Sequence, residues 1–265
     1  MVRSLKLTLA YDGSAYAGWQ VQPGAKTLQG ALEAALAKVT GREIRSLASG
    51  RTDAGVHALG QVVGCRLETH LSNDVLRRAL NAELPLDMVV LDARDAPENF
   101  HPIRDAVRKC YRYVLHDGPI RNVFERHYLW QVRWSLDDEA MARAARALLG
   151  KHDFRSFETS GAERESSVRT VTDLRVERGQ GGEAHVVTVE VEADGFLYNM
   201  VRAIVGTLVE VGRGAQVESW VRDVLEAADR RAAGPTAPPQ GLFLVEVDYG
   251  ENAEEEKGSG FRVQD

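Results

Sequence analysis

The sequence predicts an α+β fold made of two pseudo-repeated ferredoxin-like halves, each an antiparallel sheet with helices packed on one face, and a cleft between them. Three observations predict it. Before about residue 105, runs with two-residue apolar alternation and runs with three- and four-residue apolar spacing follow the order β-α-β-β-α-β. After that point strands and helices return in a comparable order. Hydrophobic residues make up 44% of the 265-residue chain, enough for a sizeable core.

The first strand is residues 4 to 11, where Leu5, Leu7, Leu9 and Tyr11 share a face. The same N-terminal run, alternating rather than uniformly apolar, does not read as a signal peptide. YDGSAYAGWQVQ follows, with Tyr16 and Trp19 as core aromatics beside a turn or as part of a binding surface. Thr27 caps a helix whose stripe is Leu28, Ala31, Leu32, Ala35, Leu36 and Val39, closed by Gly41. Strands at 44–48 and 61–67 flank a loop, a helix runs from Asn73 to Asn81, and a strand covers Met88–Ala93.

In the second half, Arg108–Leu115 alternates, with Cys110, Arg112 and Val114 opposite Tyr111 and Tyr113. His127–Arg133 reads as a strand. Leu136 to Leu149 reads as a helix whose first turn carries Asp137, Asp138 and Glu139, favourable to its dipole. Residues 158–169 are polar and read as a mobile surface loop. A hairpin joins Leu174–Glu177 to Val186–Glu192 through GQGGE, a setting between two strands that excludes a phosphate-binding fingerprint. Helices at Tyr198–Val211 and Trp220–Ala228, the link GPTAPPQ and a strand Leu242–Val247 complete the half. We divide the chain into residues 1–105, 106–249 and an acidic tail, 250–265, expected to be disordered.

Composition narrows the function. No apolar run approaches the roughly 20 residues of a membrane span. Two cysteines, Cys65 and Cys110, give no disulfide framework, so a cytoplasmic protein without membrane contact is expected. The net charge of −6 argues mildly against nucleic acid, but binding needs only a local patch. Residues 100–133 hold seven basic side chains, among them Arg104, Arg108, Lys109 and Arg112, against three acids, Asp105, Asp117 and Glu125. Four acids in Glu251–Glu256 inflate the negative total.

The densest chemistry is GRTDAGVHALGQV, residues 50–62, which sets an arginine, a carboxylate and a histidine among three glycines between two strands. Asp53 reads either as a turn residue or as a catalytic or anion-contacting carboxylate. His57 reads as structural or RNA-contacting. Asp53 and His57 lack a nearby third ligand, so no metal site is expected.

This stretch resembles the active-site motif of the pseudouridine synthases, and within them the TruA family that modifies the tRNA anticodon arm. The resemblance runs over about residues 5 to 249 and includes YDG…GWQ, NFHPIRDAVRKCYRYVLHDG around Tyr111, DFRSF at 153–157, NMVRAIVGTLVEVG around Arg202, and GLFLVEVDY at 241–249. The chain differs from the family in its polar 158–169 loop and its acidic tail. The resemblance implies that uridine is isomerised to pseudouridine at tRNA positions 38, 39 and 40 by a homodimer, with one tRNA lying across both subunits, and that no cofactor is used.

It further implies Asp53 as the essential carboxylate, acting as a nucleophile or in proton transfer. Either role uses the ionised form, which a cation such as Arg202 favours. Tyr111 matches the active-site tyrosine, whose ring stacks on the base and whose hydroxyl can move a proton. Arg51 matches the arginine that holds the extruded nucleotide, and Leu244 an apolar wall. Arg104, Arg108, Lys109, Arg112, Arg164 and Arg169 are candidates for phosphate contacts.

Three rivals remain. In a uridine C5 methyltransferase Cys65 or Cys110 would be the nucleophile, but both sit in alternating strands and no donor-binding glycine loop accompanies them. A non-catalytic RNA-binding relative would have no use for Asp53. A synthase for another RNA would differ in surface residues alone.

Overall fold

The computed structural model describes residues 2–159, 166–179 and 182–250. Strand β1 (Val2–Tyr11) leads to helix α1 (Leu28–Thr40), strands β2 (Ser46–Ala48) and β3 (His57–Glu68), helix α2 (Asn73–Glu83) and strand β4 (Met88–Asp95). Strands β5 (Arg108–His116) and β6 (Trp130–Gln131), helix α3 (Asp138–Ala145), and strands β7 (Gly150–Asp153), β8 (Val168–Arg178) and β9 (Val186–Ala193) follow. Helices α4 (Met200–Gly212) and α5 (Trp220–Ala227) and strand β10 (Leu242–Asp248) end the fold.

The strands form one ten-stranded sheet in the order β4-β1-β3-β10-β5-β9-β8-β7, with β2 also on β3 and β6 on β5. The repeat lies in this order. In the first half β1 is flanked antiparallel by β4 and β3, and β2 pairs β3. In the second, β5 is flanked antiparallel by β10 and β9, and β8 pairs β9. The seam is short and parallel: Phe243 and Leu244 of β10 lie beside His57 and Ala58 of β3. Antiparallel pairing otherwise prevails, as expected of an α+β fold.

The capping expected of Thr27 is present, its hydroxyl accepting the Gly30 N–H, and α1 closes at Gly41. The stripe residues Leu28, Leu32 and Leu36 are fully buried in a core continuous with Leu5, Leu7 and Leu9 of β1. α1 packs on α2, and α3 on α4.

Several boundaries differ from the sequence reading. β3 begins at His57 and not at Gln61, because Ala58 finds a partner in Tyr11 and His57 one in Phe243. The loop before it therefore shrinks to residues 49–56. The expected strand at His127–Arg133 reduces to Trp130–Gln131. β10 occupies that side of β5 from Arg108 to Tyr113, leaving only Leu115 and His116 for β6. The helix from Leu136 keeps its α geometry over Asp138–Ala145 and tightens into a 3₁₀ turn at Arg146–Leu148. β8 starts at Val168 and not at Leu174, so the polar loop is shorter than expected. Its residues 160–165, and the tail from 251, lie outside the described residues.

Among the described residues no helix is long and apolar enough to cross a membrane.

Candidate active site

The loop of residues 49–56 is tied down along its length. The Gln61 amide donates to the Gly50 carbonyl at 2.7 Å and accepts from the Ser49 hydroxyl at 2.8 Å. Thr52 shares a 2.8 Å hydrogen bond with the buried Tyr11 hydroxyl, and its carbonyl accepts the Trp19 N–H at 2.9 Å. Asp53 opens a tight turn whose carbonyl accepts the Val56 N–H, with Gly55 at φ +78°, a conformation glycine adopts without strain. On the far side, Gly13 lies so close that a Cβ there would collide with the Val56 carbonyl.

His57 closes this frame. It is buried; its Nδ1 accepts the Gly13 N–H at 3.1 Å, and its Nε2 lies 2.8 Å from the His127 carbonyl and 3.2 Å from that of Gln240. These partners favour the tautomer with the proton on Nε2. Burial pushes its pKa down against the pull of Asp12. The ring stacks on Phe243, 4.8 Å between centroids. Of the two roles left open for His57, the structural one fits this place.

The loop faces a cavity of about 980 Å³ between the halves. Its lining includes Trp19, Gly50, Arg51 and Asp53 from the first half and Lys109, Tyr111, Phe196 and Arg202 from the second. Asp53 Oδ2 accepts from Arg202 Nη1 at 3.0 Å. Arg202 is also held by Nε to the Ala237 carbonyl at 2.7 Å and by Nη1 to Asn199 Oδ1 at 2.6 Å. It is 15% exposed, not the solvated helix residue that an arginine on α4 would otherwise be.

Tyr111 is buried and meets Phe196 edge to face, centroids 5.0 Å apart. Burial first, then the neighbouring Tyr11 and Asp53, raise its pKa far above the ordinary tyrosine value. Tyr113, two residues on, is a core residue, its hydroxyl donating to the Pro238 carbonyl at 2.7 Å.

The remaining sequence candidates divide. Arg51 lies exposed at the cavity rim. Leu244 is fully buried beside Tyr111 in the strand register, and Leu242 of the same strand lines the cavity in its place. Arg108 and Arg112 alternate with Tyr111 along β5 and do not line the cavity. Arg108 binds Asp248 and Glu192, and Arg112 binds Glu190. Arg104 pairs with Asp105 outside the cavity, although its neighbour Ile103 lines it. Arg169 donates to the Ser166 and Val168 carbonyls, and Arg164 lies outside the described residues. Among the described residues no group of three or more His, Cys, Asp or Glu is placed to hold a metal ion.

The sequence reading named Lys109 as a candidate phosphate contact and passed over Phe196, Tyr198 and Asn199 as site residues. Lys109 alternates in phase with Tyr111 and lines the cavity beside it. Lys109 Nζ donates to the Ser49 carbonyl at 2.5 Å, at the start of the Asp53 loop.

Residues 8–103 and 144–250 match the family model described as tRNA pseudouridine synthase. The chain belongs to the tRNA pseudouridine synthase family. A relative called tRNA pseudouridine synthase A in Thermoanaerobacter sp. (strain X514) is 43% identical over 248 residues, 94% of this chain and 100% of that protein. Another of that name, in Moorella thermoacetica, is 48% identical over 247 residues, 92% of this chain and 99% of its own length. Among solved structures, the archaeal box H/ACA sRNP Nop10-Cbf5 complex matches with TM-score 0.33 and 13% identity, over 86% of this chain and 60% of that one. So loose a likeness carries no argument; membership of the synthase family rests on the sequence matches.

Proposed function

We propose that this chain isomerises uridine to pseudouridine in tRNA at the cavity between its halves, with Asp53 as the essential carboxylate. The observation that carries the assignment of the site is the Asp53–Arg202 pair, a carboxylate and a guanidinium 3.0 Å apart in a cavity wide enough for an extruded nucleotide. The reaction breaks the bond between ribose C1′ and base N1, turns the base, and joins C5 to C1′. The C5 proton leaves and N1 gains one, so atoms balance without a co-substrate.

Asp53 acts at the sugar, and Arg202 aims it through their hydrogen bond. The Tyr111 ring, braced by Phe196, is the stacking surface for the base, and Leu242 continues that apolar wall, with Leu244 packed behind it. Arg51, at the rim, is suited to hold the nucleotide out of its stack. Lys109 strengthens the positive side of the cavity, while Arg104, Arg108 and Arg112 serve the RNA backbone at most from outside it.

The target is the anticodon arm, at positions 38, 39 and 40. The enzyme acts as a cytoplasmic homodimer, with residues 1–105 and 106–249 as two halves of one catalytic unit. The relatives' shared name supports tRNA as substrate, and the TruA resemblance supports the positions and the dimer. Pseudouridine mapping on unmodified tRNA transcripts incubated with purified protein tests this. Product confined to positions 38–40 is expected. Product elsewhere replaces the target, and tRNA binding without product returns the chain to a non-catalytic reading.

A further inference from the structure

Helix α4 starts in an unusual way. Its N-cap residue, Asn199, has φ 61° and ψ 9°, in the left-handed region. Apart from Ala228, every other described non-glycine residue has negative φ. Asparagine tolerates this region better than most residues, but an N-cap ordinarily has extended backbone and turns its side chain onto the first free N–H groups. Asn199 makes no such cap. Its carboxamide oxygen instead accepts Arg202 Nη1 at 2.6 Å, and its carboxamide nitrogen donates to Thr159 Oγ1 at 3.1 Å. The Thr159 N–H in turn donates to the Tyr198 carbonyl at 3.1 Å, fixing the residue before the turn.

Both local preferences are thus set aside at a single residue, and the atom this frees touches the guanidinium nitrogen that binds Asp53. Backbone strain of this kind clusters where function requires it. An extended Asn199 would turn its carboxamide onto the free N–H groups of α4's first turn, leaving the Arg202 Nη1 group with Asp53 alone. A neutral oxygen suits this position, because a second carboxylate would compete with Asp53 for the same charge.

We propose that Asn199 is a positioning residue of the isomerisation, holding Arg202 on Asp53 through a left-handed turn that Thr159 braces. The proposal rests on the assignment of Asp53 and Arg202 to the reaction. Asn199→Gly keeps the turn, since glycine adopts positive φ freely, and deletes the carboxamide. Its kcat falls at least tenfold, with KM for tRNA within twofold and Tm unchanged. In an Arg202→Lys background the same substitution has less than a twofold effect, because the fork it orients is gone. Thr159→Val, which removes only the brace, lowers kcat by a smaller factor in the same direction.

Unchanged kcat in Asn199→Gly overturns the proposal, as does a loss that persists undiminished in the Arg202→Lys background or that merely tracks a loss of folded protein. If Arg202→Lys alone leaves kcat at the wild-type value, the site assignment beneath the proposal fails instead.

Discussion

Arg202 and Asp53 are 149 residues apart in sequence and 3.0 Å apart in space, one on α4 of the second half and one in the 49–56 loop of the first. The arginine reaches across the seam with its other nitrogen anchored on the Ala237 carbonyl. A lysine offers one point charge and no fork, so it cannot keep the backbone anchor and the carboxylate together. Arg202→Lys is expected to lower kcat roughly ten- to a hundredfold, the worth of one or two charge-assisted hydrogen bonds. Circular dichroism and tRNA affinity remain unchanged. Steady-state kinetics on a tRNA transcript measure it.

Tyr111→Phe separates stacking from proton transfer. The ring and its edge contact with Phe196 survive, so KM is retained. If the hydroxyl moves the C5 proton, kcat falls about a hundredfold, the usual scale of a positioned acid or base. If only the ring matters, kcat stays within about threefold, a difference below 1 kcal/mol. Because burial raises the Tyr111 pKa, its phenol stays protonated beyond pH 9, and no alkaline loss of activity in wild type arises from it.

Gly13→Ala tests the frame beneath the loop. Its Cβ would meet the Val56 carbonyl and push the 12–13 turn from the Asp53 turn, stretching the Gly13–His57 bond. Overpacking of this kind costs about 1–3 kcal/mol. A lower Tm together with reduced kcat is expected, although neither residue touches substrate. Calorimetry and kinetics on one preparation measure both.

Arg178 and Asp117 form a pair remote from chemistry. Both Asp117 oxygens accept from Arg178, at 3.1 and 2.9 Å, and the carboxylate is nearly inaccessible. Burial pushes its pKa up, but the Arg178 bonds and the Leu136 N–H outweigh this and hold it below the usual range. A depressed carboxyl contributes stability that is present above its unfolded pKa, near 4, and is lost as pH falls through the folded one. Arg178→Ala should cost about 3 kcal/mol at pH 7, with a smaller gap from wild type at pH 3. Urea melts at the two pH values read it.

Much of this was legible in the sequence. The alternation of Leu5, Leu7 and Leu9 and the stripe from Leu28 to Leu36 gave the first half's elements, because each lies on one buried face. The motif around Asp53 and the block around Arg202 pointed to the two residues that meet. Other features depended on partners that no local pattern names. Leu242 replaces Leu244 at the cavity through the register of β10 on β5, and the strand at 127–133 shrank because β10 already filled that edge. Arg108 and Arg112 looked like RNA contacts from their charge alone, while Glu192, Asp248 and Glu190 bind them in the fold. Asn199 had no signal beyond its residue type, since its role comes from a backbone angle.

The most direct test of the central claim is Asp53→Asn assayed by single-turnover pseudouridine formation on a tRNA transcript, with tRNA affinity and Tm measured on the same protein. The amide is isosteric, so folding and binding are retained. The account predicts a rate below about one thousandth of wild type, as for removal of an essential reacting group. Pseudouridine formed at the wild-type rate would contradict it and leave Asp53 a turn residue.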